Sequence, residues 1–146
     1  MTAAANAGED PTSTDRTSIA AFEGSTPWVR RLLRIEGLAI LAFAGAAWLS
    51  LGFDWPWFFV LLLAPDISMV GYLRGPHLGA ITYNLAHNVA TGLLVLGVGL
   101  AIGPPAVTLA GLILVAHVGM DRAFGYGLKY PTSFKDTHLG RIGKAR

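Results

Sequence analysis

His117 and Asp121 stand four residues apart in A-H-V-G-M-D, near the end of an apolar run from Pro105 to Phe124. On a helix that spacing stacks both side chains on one face. The run is about as long as a hydrocarbon core of roughly 30 Å demands of a spanning helix. Ionisable groups in such a helix are costly and normally face protein or a water-filled cavity, so each is a functional-site hypothesis. Three further apolar stretches carry groups of the same kind. Glu36 interrupts Ile35 to Leu51, Asp66 and Ser68 follow Pro65, and Asn84, His87, Asn88 and Thr91 fall at i, i+3, i+4 and i+7 of a third run.

Carboxylates and imidazoles brought together by facing helices are how bundle metal sites are built, and a His and Asp set suits zinc, iron or manganese. The residues predict a divalent-metal site of His87, His117 and Asp121, with Asp66 as fourth ligand or general base. Glu36, Asn84, Asn88 and Ser68 would support it. A cation with an open coordination position would activate water for hydrolysis, and the adjoining leaflet would supply a lipid or lipid-linked substrate. H-x-x-x-D is no signature comparable with H-E-x-x-H, so two other readings stand beside this one. The groups could instead form a non-catalytic polar network that holds the helices together, or the path of a small proton- or ion-coupled transporter. A haem between His87 and His117 would fit their depth, but three nearby acids make an unusual setting for it.

The elements that must position these groups follow from composition and punctuation. The 146 residues are 53% hydrophobic and 14% charged, with a mean hydropathy of +0.50, too apolar for an ordinary soluble domain of this size. No cysteine is present, which excludes disulfides, thiolate chemistry and covalent haem attachment. Sparse basic residues in so apolar a chain argue against nucleic acid as a partner. Residues 1–24 are rich in Ala, Thr, Ser and acids with no apolar core of a secretory signal, and read as a disordered tail.

Residues 25–128 then read as an all-α, integral-membrane, antiparallel four-helix bundle. Ser25 or Thr26 offers an N-cap before Pro27, and Ala42 with Ala46 offers a small-residue face for close packing. Pro56 opens the second helix and Pro65 bends or breaks it, which is the condition for Asp66 and Ser68 to serve one site. The R-G-P-H turn at Arg74 to His77 leads into a third helix from Leu78 to Ile102, and Gly103 to Pro105 lead into the fourth. Trp55, Trp57, Phe58 and Phe59 read as an aromatic belt, and His77 and His138 as solvated. Residues 129–146 mix aromatic and basic side chains. They predict a short surface helix, with the stretch from Thr132 to Gly143 turning Phe134 and Leu139 toward lipid or bundle and its lysine toward anionic headgroups.

None of the eleven Lys and Arg residues lies in Gly52 to Trp55 or in Gly103 to Pro104. By the positive-inside rule both termini are cytoplasmic, and so total a bias excludes dual topology. Counted at 1.5 Å per residue from the cytoplasmic ends, Asp66, His87 and His117 lie about 10 to 13 Å deep and Glu36 and Asp121 about 6 Å. Depth alone places all of them in one layer.

The stretches A-P-D-I-S-M-V-G-Y, Y-N-L-A-H and A-H-V-G-M-D-R-A-F-G-Y-G-L-K-Y-P-T-S-F-K-D-T-H-L-G resemble a small bacterial membrane family, domain-of-unknown-function family 4260. The likeness runs from about Arg31 to Gly143. It implies four spans in a bacterial cytoplasmic membrane and carries over no activity and no catalytic role.

Overall fold

The computed structural model describes residues 27–143; the predicted tail of residues 1–24 and the cap at Ser25 or Thr26 lie outside the described residues. Helix α1 spans Pro27–Ser50, with proline in the first turn, where its missing N–H leaves no bond unmade. A turn through Gly52 leads to α2, Trp55–Leu62, which continues past Pro65 as a 3-10 helix, Ala64–Arg74. Helices α3, Pro76–Ala86, and α4, Val89–Ile102, follow. The last, α5, spans Pro105–Phe124 and stops at Gly125, which takes the left-handed conformation that closes a helix at low cost.

Three stretches, Pro27–Ser50, Trp55–Arg74 and Pro105–Phe124, are long and apolar enough to cross a membrane. The pair α3 and α4 makes a fourth if its 45° bend lies within one span. Large apolar side chains such as Phe43, Ile67, Leu73 and Leu94 stand on the outside of this fold, as they do in membrane proteins.

The third stretch departs from the continuous helix expected of it. At Asn88 the backbone is extended, and its side-chain Oδ1 accepts the Thr91 N–H at 2.8 Å, so Asn88 starts a new helix. Asparagine does this readily because its short amide competes with the helical ladder. The polar stripe is therefore cut in two: Asn88 is a cap, and His87 sits at the break.

Helix α5 packs between α1 and α4, while α3 packs on the 3-10 helix. Contact between α1 and α5 is backbone to backbone. A Cβ on Gly37 would meet the Ala123 nitrogen at 2.6 Å and the Gly119 carbonyl oxygen at 2.7 Å, and one on Gly119 would meet the Leu41 nitrogen at 2.7 Å. The small-residue face lies elsewhere than expected, since Ala42 and Ala46 are exposed while Gly37, Ala44 and Trp48 are buried. Trp48 anchors the core with Phe58, Leu62, Leu112, Ile113 and Ala116. The aromatic cluster divides accordingly: Phe58 turns in against Trp48, and Trp55, Trp57 and Phe59 stay exposed.

Among the described residues the C-terminal segment forms no surface helix. Strands β1, Asp136–Thr137, and β2, Gly140–Arg141, make a small antiparallel hairpin, and Lys129 bridges to Thr137. Thr137 Oγ1 donates to the Gly140 carbonyl and accepts the Leu139 N–H, so the hydroxyl closes the turn that a helix would have had to span. Leu139 is buried and Phe134 lies edge-on to Tyr72 of the 3-10 helix.

Candidate metal centre

Pro65 positions the first imidazole. In the 3-10 register the Leu62 carbonyl would accept from residue 65, but proline has no N–H, and the Asp66 N–H goes to Leu63 instead at 3.2 Å. Leu62, rather than the carbonyl four residues before the proline, thus becomes the available acceptor. His117 Nδ1 lies 2.6 Å from it, with the ring fully buried. A carbonyl oxygen can only accept, so Nδ1 carries the proton and the neutral ring's lone pair is on Nε2.

The break after α3 positions the second imidazole in the same manner. His87 Nδ1 lies 2.9 Å from the Tyr83 carbonyl, with Ser68 Oγ at 3.5 Å, which again leaves the lone pair on Nε2. The Tyr83 ring stacks on the imidazole, centroids 3.6 Å apart. Both Nε2 atoms then point at one place. They are 3.0 Å apart, and Asp66 Oδ1 lies 3.4 Å from that of His87 and 3.6 Å from that of His117.

Asp121 completes the group, its Oδ1 3.8 Å from His117 Nε2 and its Oδ2 4.0 Å from His87 Nε2. The Tyr83 hydroxyl donates to Asp121 Oδ2 at 2.6 Å. Two lone pairs and the Asp66 carboxylate therefore converge on one point, with Asp121 at its edge. Facing lone pairs 3.0 Å apart repel unless a cation or a shared proton lies between them.

The donor spacing fits a metal ion. Ligand atoms about 2.1 Å from a cation are about 3.0 Å apart at a right angle and about 3.4 Å apart at the tetrahedral angle. Asp66, His87 and His117 each offer an atom within 4.8 Å of the others, and the separations of 3.0, 3.4 and 3.6 Å span those two values. Each imidazole also has the backbone partner on its far nitrogen that fixes ligating histidines.

The other sequence-predicted residues are placed differently. Glu36 is exposed on α1 and does not join the cluster, because Gly37 beside it occupies the face that docks on α5. Asn84 turns to the tail: its amide accepts the Lys129 N–H at 2.7 Å and donates to the Lys129 carbonyl at 2.9 Å. Asn88 caps α4, and Ser68 reaches only the back of His87. His77 is exposed, whereas His138 is more than a solvated residue, since its Nδ1 accepts the Leu128 N–H at 2.8 Å.

Two residues at the cluster escaped the sequence reading. Tyr83 lies four residues before His87 on one helical face, a spacing that could have marked it. Lys129 carried no such signal. The residue is 4 % exposed, and its Nζ sits 4.1 Å from the Phe134 ring centroid and 5.1 Å from that of Tyr83. Burial pushes its ammonium below the ordinary lysine range, and Asp121 and Asp66 pull it part of the way back. A cavity of about 310 Å³ is lined by Asp66, Asp121 and Lys129 together with Met69, Met120 and Phe124.

One family model, described as a domain of unknown function (DUF4260), matches residues 30–142. No curated protein and no solved structure matches the chain.

Proposed function

The chain belongs to the DUF4260 family, and from the geometry we propose that it is a four-span membrane protein whose antiparallel helices hold a divalent cation for hydrolytic chemistry at the cytoplasmic leaflet. One observation carries this reading: two imidazoles, each tied at Nδ1 to a backbone carbonyl, present their Nε2 atoms 3.0 Å apart beside Asp66. His87, His117 and Asp66 would be ligands, with Asp121 as fourth ligand or as base. Zinc, iron and manganese all suit such a set.

A cation held there would supply Lewis acidity and an acidified water. In ester hydrolysis water's oxygen bonds to the electrophilic centre, one of its protons passes to Asp121, and the ester bond breaks as that proton moves on to the leaving oxygen. Tyr83 holds Asp121 in place through its hydroxyl. Asp66, whose side chain is 37 % exposed, gives the cluster its opening to the cavity.

Metal analysis of detergent-purified protein tests the centre. The expected result is about one zinc, iron or manganese per chain in the wild type, and none in His87→Ala or His117→Ala. A folded wild type that takes up no divalent cation would show that a proton, not a metal, lies between the imidazoles. The cluster would then be the structural network or proton path weighed earlier.

The sidedness rests on the basic residues, all of which avoid Gly52 to Trp55 and Gly103 to Pro104. Reporter fusions at Asp54 and Pro104 should be active only outside a bacterial cytoplasm, and a C-terminal fusion only inside. The opposite pattern at the C-terminus would overturn the assignment to the cytoplasmic leaflet.

A further inference from the structure

Lys129 has no role in holding a metal, yet the tail is built to keep it at the cluster. Asn84 clamps its backbone on both sides, and the bridge to Thr137 ties it to the hairpin. Its ammonium lies over two aromatic rings inside the fold, and no carboxylate of the described residues forms an ion pair with it. Aromatic faces offset only part of what desolvating an ammonium costs. A buried, unpaired cation aimed into a cavity is a receptor for an anion.

The rest of the cavity describes what that anion is attached to. Its walls include Met69, Met120 and Ile142, and Phe124, Tyr126 and Phe134 line it while remaining exposed. Phe124 and Tyr126 stand where α5 ends, the level at which aromatic side chains meet lipid headgroups, and Phe134 joins them from the tail. A volume of about 310 Å³ is at the small end for ligand sites. It suits a head group and the first methylenes of a chain, with the remainder left in the bilayer.

We infer that this cavity is the substrate site and receives a phosphate-bearing amphiphile, its phosphate oxygen on Lys129 and its alkyl part against Met69, Met120 and Phe134. The assignment rests on the metal reading for the reacting end alone. Ammonium and cation would face the same phosphate from two sides, the arrangement that phosphate esters favour. Inorganic phosphate satisfies Lys129 but leaves the apolar walls uncovered, so the alkyl chain is what separates a lipid source from a free anion.

The test is calorimetric titration of the full-length protein in maltoside detergent with dodecyl phosphate, below its micellar range, and with inorganic phosphate. It is run on wild type, Lys129→Gln and Lys129→Arg, each with metal content measured and each repeated after chelation. The expected result is dodecyl phosphate binding that is weaker by about tenfold or more in Lys129→Gln, largely kept in Lys129→Arg, with metal content unchanged in both. Inorganic phosphate should bind about tenfold or more weakly than the alkyl ester. Met120→Trp, which fills the cavity and leaves Lys129 in place, should also block the alkyl ester and serves should Lys129→Gln fail to fold. Equal dodecyl phosphate affinity in wild type and Lys129→Gln, or in wild type and Met120→Trp, overturns the inference while leaving a retained metal to stand. A metal-free wild type that still loses dodecyl phosphate on Lys129→Gln sinks the metal reading and keeps the cavity assignment.

Discussion

Chelation of the proposed divalent cation should lower the melting temperature of the wild type by about 10 °C and leave that of His117→Ala where it was. A ligand that binds only the folded state stabilises it by about 2.7 kcal/mol at a hundred times its dissociation constant. In a chain of this length each kcal/mol moves the midpoint by about 3 to 5 °C. Without the cation, the two Nε2 lone pairs stay 3.0 Å apart with Asp66 and Asp121 beside them, and the cluster must recover a proton or loosen. His117→Ala also gives up the bond to the Leu62 carbonyl, so it starts from a lower midpoint. The comparison is therefore the chelator's effect within each protein. If chelation moves neither midpoint while His117→Ala still lowers stability, the imidazoles are structural glue.

How much of this centre could be read from the sequence depends on which coordinate of a residue the sequence reports. Distance along a helix follows from counting, and counting brought Asp66, His87, His117 and Asp121 to one level, where the structure also gathers them. Which neighbour a helical face turns toward does not follow from counting. Glu36 shares the level and faces out, because the Gly37 backbone contact fixes the rotation of α1. Pro65 was legible as a break since its missing N–H acts locally, although the carbonyl it leaves for His117 is that of Leu62 and depends on the 3-10 winding. The break at Asn88 was not legible, since Asn88 within an apolar run looks like an intramembrane polar residue until its side chain is seen to accept the Thr91 N–H. Lys129 is the furthest from prediction. Its burial is decided by Asn84, which lies 45 residues earlier.

Replacing Gly119 by leucine should destabilise the protein more than any change in the outer partners of the His and Asp cluster, while leaving the proposed ligands intact. A Cβ there already meets the Leu41 nitrogen at 2.7 Å and the Gly37 carbonyl oxygen at 2.8 Å, and backbone cannot move aside as a side-chain tip can. Overpacking costs about 1–3 kcal/mol where side chains can shift, and occasionally more; contact with backbone on both helices puts this variant at or above the upper figure. Helix α1 would have to leave α5, and with it the Arg34 bond to the Phe124 carbonyl and the Trp48 anchor. His117 lies two residues earlier, nearly opposite around the helix, so it faces the cluster while Gly119 faces α1. Gly119→Leu should therefore lower the melting temperature by about 10 °C or more yet still bind the cation when cold. Gly97→Ala is the control: a Cβ there meets nothing within 4 Å, and alanine in a helix interior should gain about 0.5–1 kcal/mol. A Gly119→Leu protein as stable as the wild type would mean that α1 and α5 do not meet backbone to backbone, and the placement of α1 against the helix that carries His117 and Asp121 would have to be abandoned.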